Sequence, residues 1–195
     1  MRKRSIALVL ATAALVIGTV FGTMAWLSAK SGPVTNTFTT SDITVTLEET
    51  TGKEYKMVPG YTITKDPKVT VKAGSEPCYL FVKLEKSSNF DTFLTYTVAD
   101  GWTQLKDAQD TDVSGVYYRR VEAADIGKTF SVLKDNQVTV NSTVTKEQMS
   151  ALTESSSYPT LTVTAYASQL MENNTEEFTA IEAWNNVDPS AAAQN

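Results

Sequence analysis

The chain has 195 residues and 42% hydrophobic content, enough for one medium-sized domain with a real core. Seventeen Lys and Arg stand against 22 Asp and Glu; without Arg2, Lys3 and Arg4 the balance is 14 to 22, a net charge of −8 with no basic cluster, which argues against nucleic acid or an anionic membrane surface as partner. Histidine is absent and Cys78 is the single cysteine, which excludes Ser-His-Asp and Cys-His catalysis, the paired-His zinc peptidase motif and any internal disulfide.

The N-terminal stretch "MRKRSIALVLATAALVIGTVFGTMA" combines a basic start, an apolar run from Ile6 to Ile17 and small residues at Thr23 and Ala25. This is the layout of a secretory signal with Thr23 at −3 and Ala25 at −1, so residues 1–25 are expected to be removed and Trp26 to become the first mature residue. A cut after Ala29 would place the larger Leu27 at −3. The competing reading is an uncleaved anchor, since apolar character continues through Leu27 over a length that crosses a bilayer. Residues 26–39 follow as a separate mature segment, in which Val34, Asn36 and Phe38 alternate with Thr35 and Thr37.

From residue 40 onward the pattern is mostly strand. "ITVTLE" (43–48) alternates strictly; "KVTVKA" (68–73), "CYLFVKLEK" (78–86), "FLTYTV" (93–98), "GVYYRRV" (115–121), "TFSVL" (129–133), "QVTVN" (137–141) and "TLTVTAYASQ" (160–169) are rich in β-branched and aromatic residues. Turn chemistry separates them at Pro59-Gly60, Asp66-Pro67, Ala73-Gly74-Ser75, Asp100-Gly101 and Asp135-Asn136. Many short strands joined by turns predict a mainly β chain with antiparallel sheets, as a sandwich or a barrel. Two helices interrupt them. Thr145 with Gln148 forms a capping-box pattern, and "NTEEFTAIEAWNNV" places Phe178, Ile181 and Trp184 at helical spacing, with Glu176 and Glu177 expected in the first turn. The β domain thus runs over 40–187, and 188–195 read as a disordered tail without a sorting signal or apolar anchor.

No pattern here implies a metal or any other cofactor. The acidic pairs Glu48-Glu49, Glu176-Glu177 and Asp110 with Asp112 sit where solvated surface is the ordinary outcome, and "DAQDTDVSG" matches only part of a calcium loop. Cys78 opens an apolar strand and reads as a small buried residue. Tyr79, Phe81, Tyr96, Tyr117, Tyr118 and Tyr166 read as packing residues, as do Trp102 and Trp184. Lys30 is a conceivable crosslinking lysine, but nothing identifies an acceptor.

Three blocks taken in order carry a resemblance: "GTMAWLSA" leading into "TNTFTTSDITVTLEE", then "MVPGYTITKDPKVTVKAGSEPCYLFVKLE", then "PTLTVTAYASQ" with "AIEAWNNV". Together they resemble the TasA/camelysin-like family of biofilm matrix proteins processed by the signal peptidase SipW, and the BsaA-like branch in particular. The resemblance implies a secreted, non-enzymatic, jelly-roll-like β-sandwich that polymerises into extracellular fibres. Its partners would be further copies of itself and, during export, the dedicated signal peptidase, with the membrane touched only through the signal before cleavage. In TasA-like members the mature N-terminal segment is a donor strand. Carried over, Val34, Thr35, Asn36, Thr37 and Phe38 are the donor residues here, although Gly32-Pro33 interrupts the strand before them. Two other readings are a monomeric or membrane-tethered surface-binding module and, against the absence of histidine, a camelysin-type metallopeptidase.

Overall fold

The computed structural model describes residues 43–52, 55–173 and 175–187. The expected cleavage residues Thr23, Ala25 and Trp26, the lysine Lys30, the donor residues Val34, Thr35, Asn36, Thr37 and Phe38, and the tail 188–195 all lie outside the described residues. Ten strands and three helices follow in chain order: β1 (Val45–Glu48), β2 (Thr62–Thr64), β3 (Lys68–Val71), β4 (Cys78–Lys86), α1 (Phe90–Phe93), β5 (Leu94–Thr95), β6 (Thr103–Lys106), β7 (Asp112–Val121), β8 (Thr129–Ser131), β9 (Gln137–Val140), α2 (Lys146–Ser150), β10 (Leu161–Gln169) and α3 (Ala180–Val187). The described chain is mainly β, and every strand pairing is antiparallel.

One layer is a four-stranded sheet in the order β10-β4-β7-β6. The other consists of two three-stranded ladders, β1-β3-β8 and β2-β9-β5, that run into one another. Strand β2 continues into β3 through Lys65–Pro67 while β8 continues into β9 through Val132–Asn136. The junction is stitched by Lys65 N donating to Asn136 O at 2.8 Å and Val132 N donating to Pro67 O at 3.0 Å. Beside it, Val98 faces Leu133, with Ala99 N donating to Val132 O at 2.9 Å and Lys134 N to Thr97 O at 2.9 Å.

Strand alternation decides what lies between the layers. On β4 the even-numbered Cys78, Leu80, Val82 and Leu84 turn toward Val69, Val71, Val132, Val138 and Val140 of the second layer, forming the larger core. The odd-numbered Tyr79 and Phe81 point the other way, where α3 covers them. Phe81 lies opposite Tyr118 on β7 and Tyr166 on β10, and Trp184 of α3 closes over Phe81 at 5.3 Å and Tyr166 at 5.1 Å between ring centroids. The adjacent residues Tyr117 and Tyr118 therefore serve opposite faces.

The two longest strands match the alternation closely: β4 spans the predicted 78–86, and β10 begins one residue later than predicted. Elsewhere the structure corrects the reading. The predicted strand 93–98 starts as the single helical turn α1, because Phe90 and Phe93, three apart, both bury when Phe90 N donates to Ser87 O. Strands β2 and β6, too short to show a period, were absent from the prediction. Asp66-Pro67 is no exposed turn but a buried crossing between ladders. Helix α2 carries the expected capping box of Thr145 and Gln148. Helix α3 starts later than expected: its first turn holds Glu182, and Thr179 and Glu182 cap each other, Thr179 N donating to the Glu182 carboxylate at 2.8 Å. Glu176 and Glu177 lie before it, with Glu177 bridged to Met171.

Candidate functional site

An antiparallel sheet closes its hydrogen bonds only where each strand has a neighbour on both sides. In the four-stranded sheet the outer strands are β6 and β10. Strand β10 pairs with β4 over nine consecutive residues, Leu161 opposite Lys86 through Gln169 opposite Cys78, and among the described residues it has no second ladder. Its sequence, LTVTAYASQ, carries no charge.

Along this edge lies a groove of about 390 Å³ lined by Ile43, Ala167, Ser168, Gln169, Asn186 and Val187. Its walls come from three places: the residues entering β1, the C-terminal part of β10 and the last turn of α3. The core-facing side chains of β10 shrink along the strand from Leu161 and Val163 to Ala165 and Ala167, so the layer edge is least filled where the groove opens. Ser168 on the other face is 6% exposed. Asp66 is the other buried polar residue, 5% exposed. Its carboxylate accepts from Thr50 N at 3.0 Å, Thr50 Oγ1 at 2.5 Å, Thr51 N at 3.0 Å, Thr51 Oγ1 at 3.1 Å and Lys68 Nζ at 3.1 Å. Donation by Thr50 above all holds that carboxyl well below the usual carboxylate range, against a burial cost that acts the other way.

Four of the six residues in the acidic pairs are tied into local bonds. Glu49 takes the Lys65 ammonium at 2.7 Å and Glu48 faces Lys68 across β1 and β3. Glu177 receives Arg120 in a two-pronged pair at 2.6 and 2.8 Å, and Glu176 accepts from Asn173 Nδ2. Asp110 holds Lys106 at 2.9 Å, and Asp112 opens β7. Among the described residues no group of three or more Cys, Asp or Glu is placed to hold a metal ion. Cys78 is fully buried, and burial pushes its thiol up to about 11, which leaves almost no thiolate at neutral pH.

Trp184 is 1% exposed and anchors α3 on the sheet, as its spacing suggested. Trp102 is half-buried, donating Nε1 to Ser131 O at 2.8 Å. It flanks Arg119, whose guanidinium lies 5.3 Å from the Trp102 ring and 3.8 Å from Phe130. This stacking accompanies an Nε that lacks a hydrogen-bond acceptor, and burial lowers the pKa of Arg119. A smaller polar depression of about 140 Å³ beside β5 and β9 is lined in part by Thr95, Thr97, Gln137 and Thr139, side chains common on a solvated strand face.

Sequence reasoning identified β10 as a strand and left its free edge unassigned, because edge position depends on pairing with residues about 80 positions away. The missed residues are Ile43, Ala167, Ser168, Gln169, Asn186 and Val187. The faint local signal was the absence of charge across nine residues together with the two alanines. No family model, no curated protein and no solved structure matches the chain.

Proposed function

We propose that this protein is a secreted structural subunit of an extracellular biofilm matrix fibre, polymerising when the mature N-terminal segment of one copy adds as a strand to the next. The observation that carries this reading is the uncharged, nine-residue β10, which among the described residues has no second ladder, beside a groove of about 390 Å³. Strand addition supplies backbone partners along such an edge, while alternate side chains enter the space beside it. Under this reading Val34 and Phe38 would supply the apolar side chains of the added strand, with Thr35 and Thr37 alternating with them. Because donor and acceptor are different surfaces, the contact repeats head to tail without closing.

A jelly-roll-like description of the sandwich draws support from the path of the chain. It crosses between layers from β3 to β4, β4 to β5, β5 to β6, β7 to β8 and β9 to β10. Signal removal after Ala25 would confine assembly to the outside of the cell, since a donor tethered by its apolar segment cannot reach a neighbour's edge.

The experiment compares the mature chain from Trp26 with the same chain begun at Thr40, by electron microscopy and size-exclusion chromatography. Filaments from the longer chain alone are expected. V34D with F38D on the donor side, and A167K on the acceptor side, are each expected to leave a folded subunit that does not assemble. Filaments of normal length from either variant would overturn the pairing. Folded monomers from every chain would favour the surface-binding module instead.

A further inference from the structure

Arg119 of β7 shares a strand face with Tyr117 and Val121, which pack in the larger core, so its side chain runs between the two layers. It does so at the flank formed by β6 and β8, on the other side of the sandwich from β10. There its guanidinium lies 3.8 Å from the Phe130 ring and 5.3 Å from the Trp102 ring, and the Trp102 indole is held by its bond to Ser131 O. We propose that Arg119, with Trp102, Phe130 and Gly101 around it, is a binding site for a single carboxylate, an Asp or Glu side chain on an otherwise uncharged peptide segment. The site is separate from strand addition at β10 and does not depend on it.

A guanidinium taken out of water ordinarily gains hydrogen bonds in exchange. Arg119 does not: its Nε is buried without an acceptor, and no ion pair joins it to a described carboxylate. The acids around it are engaged elsewhere. Glu122 and Glu177 hold the adjacent Arg120, and Asp125, whose charge reaches Arg119, is bonded to Lys128 at 2.6 Å. Two consecutive arginines on one strand thus differ sharply, one paired twice and the other stacked on aromatic rings alone. In a chain with 22 acids against 17 bases, an arginine left without a carboxylate points to one supplied from outside.

Gly101 leaves room for that partner. Its φ is +86, and a Cβ there would lie 3.1 Å from Arg119 Nη2 and 3.5 Å from Nη1, against the end of the guanidinium. Gly101 is exposed, and Arg119 keeps part of its surface open. The planar fork of the two Nη groups matches the two oxygens of a carboxylate. One cation in an acidic protein suits one negative charge, whereas a phosphate or a polyuronate brings more charge than the site offsets and is repelled by the rest of the surface. The rims of Trp102 and Phe130 would receive the methylene that carries the carboxylate.

The test is an NMR titration at constant ionic strength of the mature chain from Trp26, carrying V34D and F38D so that strand addition does not broaden the spectrum. It is read at the Arg119 Nε–H and the Trp102 indole N–H. The probe is N-acetyl-aspartate N-methylamide, and its asparagine analogue is the neutral counterpart. Saturable shifts at both resonances are expected from the aspartate probe alone, with half-saturation on the order of 1–10 mM. R119K keeps the charge and loses the fork, and is expected to weaken the response at Trp102 by roughly tenfold. The comparison of the two probes decides the matter even where R119K fails to fold. Equal shifts from both probes, equal shifts from chloride at matched concentration, or no shift at all would each overturn the proposal. Tighter binding of trigalacturonate would overturn the choice of a peptide and assign the site to an acidic sugar.

Discussion

Among the described residues the sheet β10-β4-β7-β6 has two outer strands, and they are built in opposite ways. Strand β6 is four residues long and ends in Lys106, which is paired with Asp110. Its register against β7 slips between Gln104 and Lys106, so Val113 to Val116 of β7 bulge away from the ladder. Gln104 fills the bulge, its amide nitrogen Nε2 donating to Val113 O at 2.7 Å and Val116 O at 3.0 Å. Short length, charge and a bulge are the usual means by which a protein keeps an edge from pairing with another chain. Strand β10 has none of the three: nine residues, no charge, no register slip. Among the described residues, one end of the sheet thus carries all three features and the other carries none, and the contrast sits in a few side chains.

The largest effect is expected from removing the conformation that allows the guard. Gly115 sits in the bulge at φ +70, and an added Cβ would lie 2.4 Å from the Leu84 carbonyl oxygen, a backbone atom with little freedom to move. G115A should therefore cost about 3 kcal/mol, combining left-handed backbone strain with displacement of β4. Urea unfolding measures it. A loss below about 0.5 kcal/mol would mean that the bulge relaxes freely and is no fixed guard.

Gln104 offers a gentler way to weaken the same edge. In Q104A the carbonyls of Val113 and Val116 lose their shared donor, and partial access of water limits the cost to about 1–2 kcal/mol. Exchange should accelerate in β6 and the bulge while β10 is unaffected. Equal acceleration at both outer strands would show that the two edges are not independently built.

The same contrast explains what could be read from the sequence. Strands β4 and β10 were legible because nine residues of alternation outweigh any local ambiguity. Strand β6 was not, since "TQLK" holds one apolar residue and takes its place only through β7. Phe93 misled because "FLTYTV" alternates well, while the decisive partner, Phe90, lay outside that window and favoured a helical turn. At α3 the acids Glu176 and Glu177 drew the predicted start forward. The Thr179-to-Glu182 capping box was present in the sequence and marks the true start. The candidate site was the least legible part, for its walls come from β1, β10 and α3, and only folding brings them together.

A smaller effect, whose pH dependence is confined to acid, concerns the anchoring of the chain just beyond β1. Asp66 gathers Thr50 and Thr51, just beyond β1, onto the crossing between β2 and β3. Its carboxyl is held below the usual range in the folded chain by those donors and Lys68. A depressed carboxylate contributes stability that is fully present above its unfolded pKa of about 3.9 and is lost as pH falls through the folded value. Stability should thus change little from this group between pH 7 and 5 and decline below about 4. In D66N the donors meet an amide whose nitrogen cannot accept from them, so the variant should melt below the native protein at pH 7, and the gap should narrow as acid protonates Asp66 in the native chain. Thermal melts of both proteins between pH 7 and 2 give the answer. A gap that stayed constant into acid would mean that Asp66 acts through shape alone. A closing gap would make the anchoring of the chain just beyond β1 dependent on the charge of a single carboxylate.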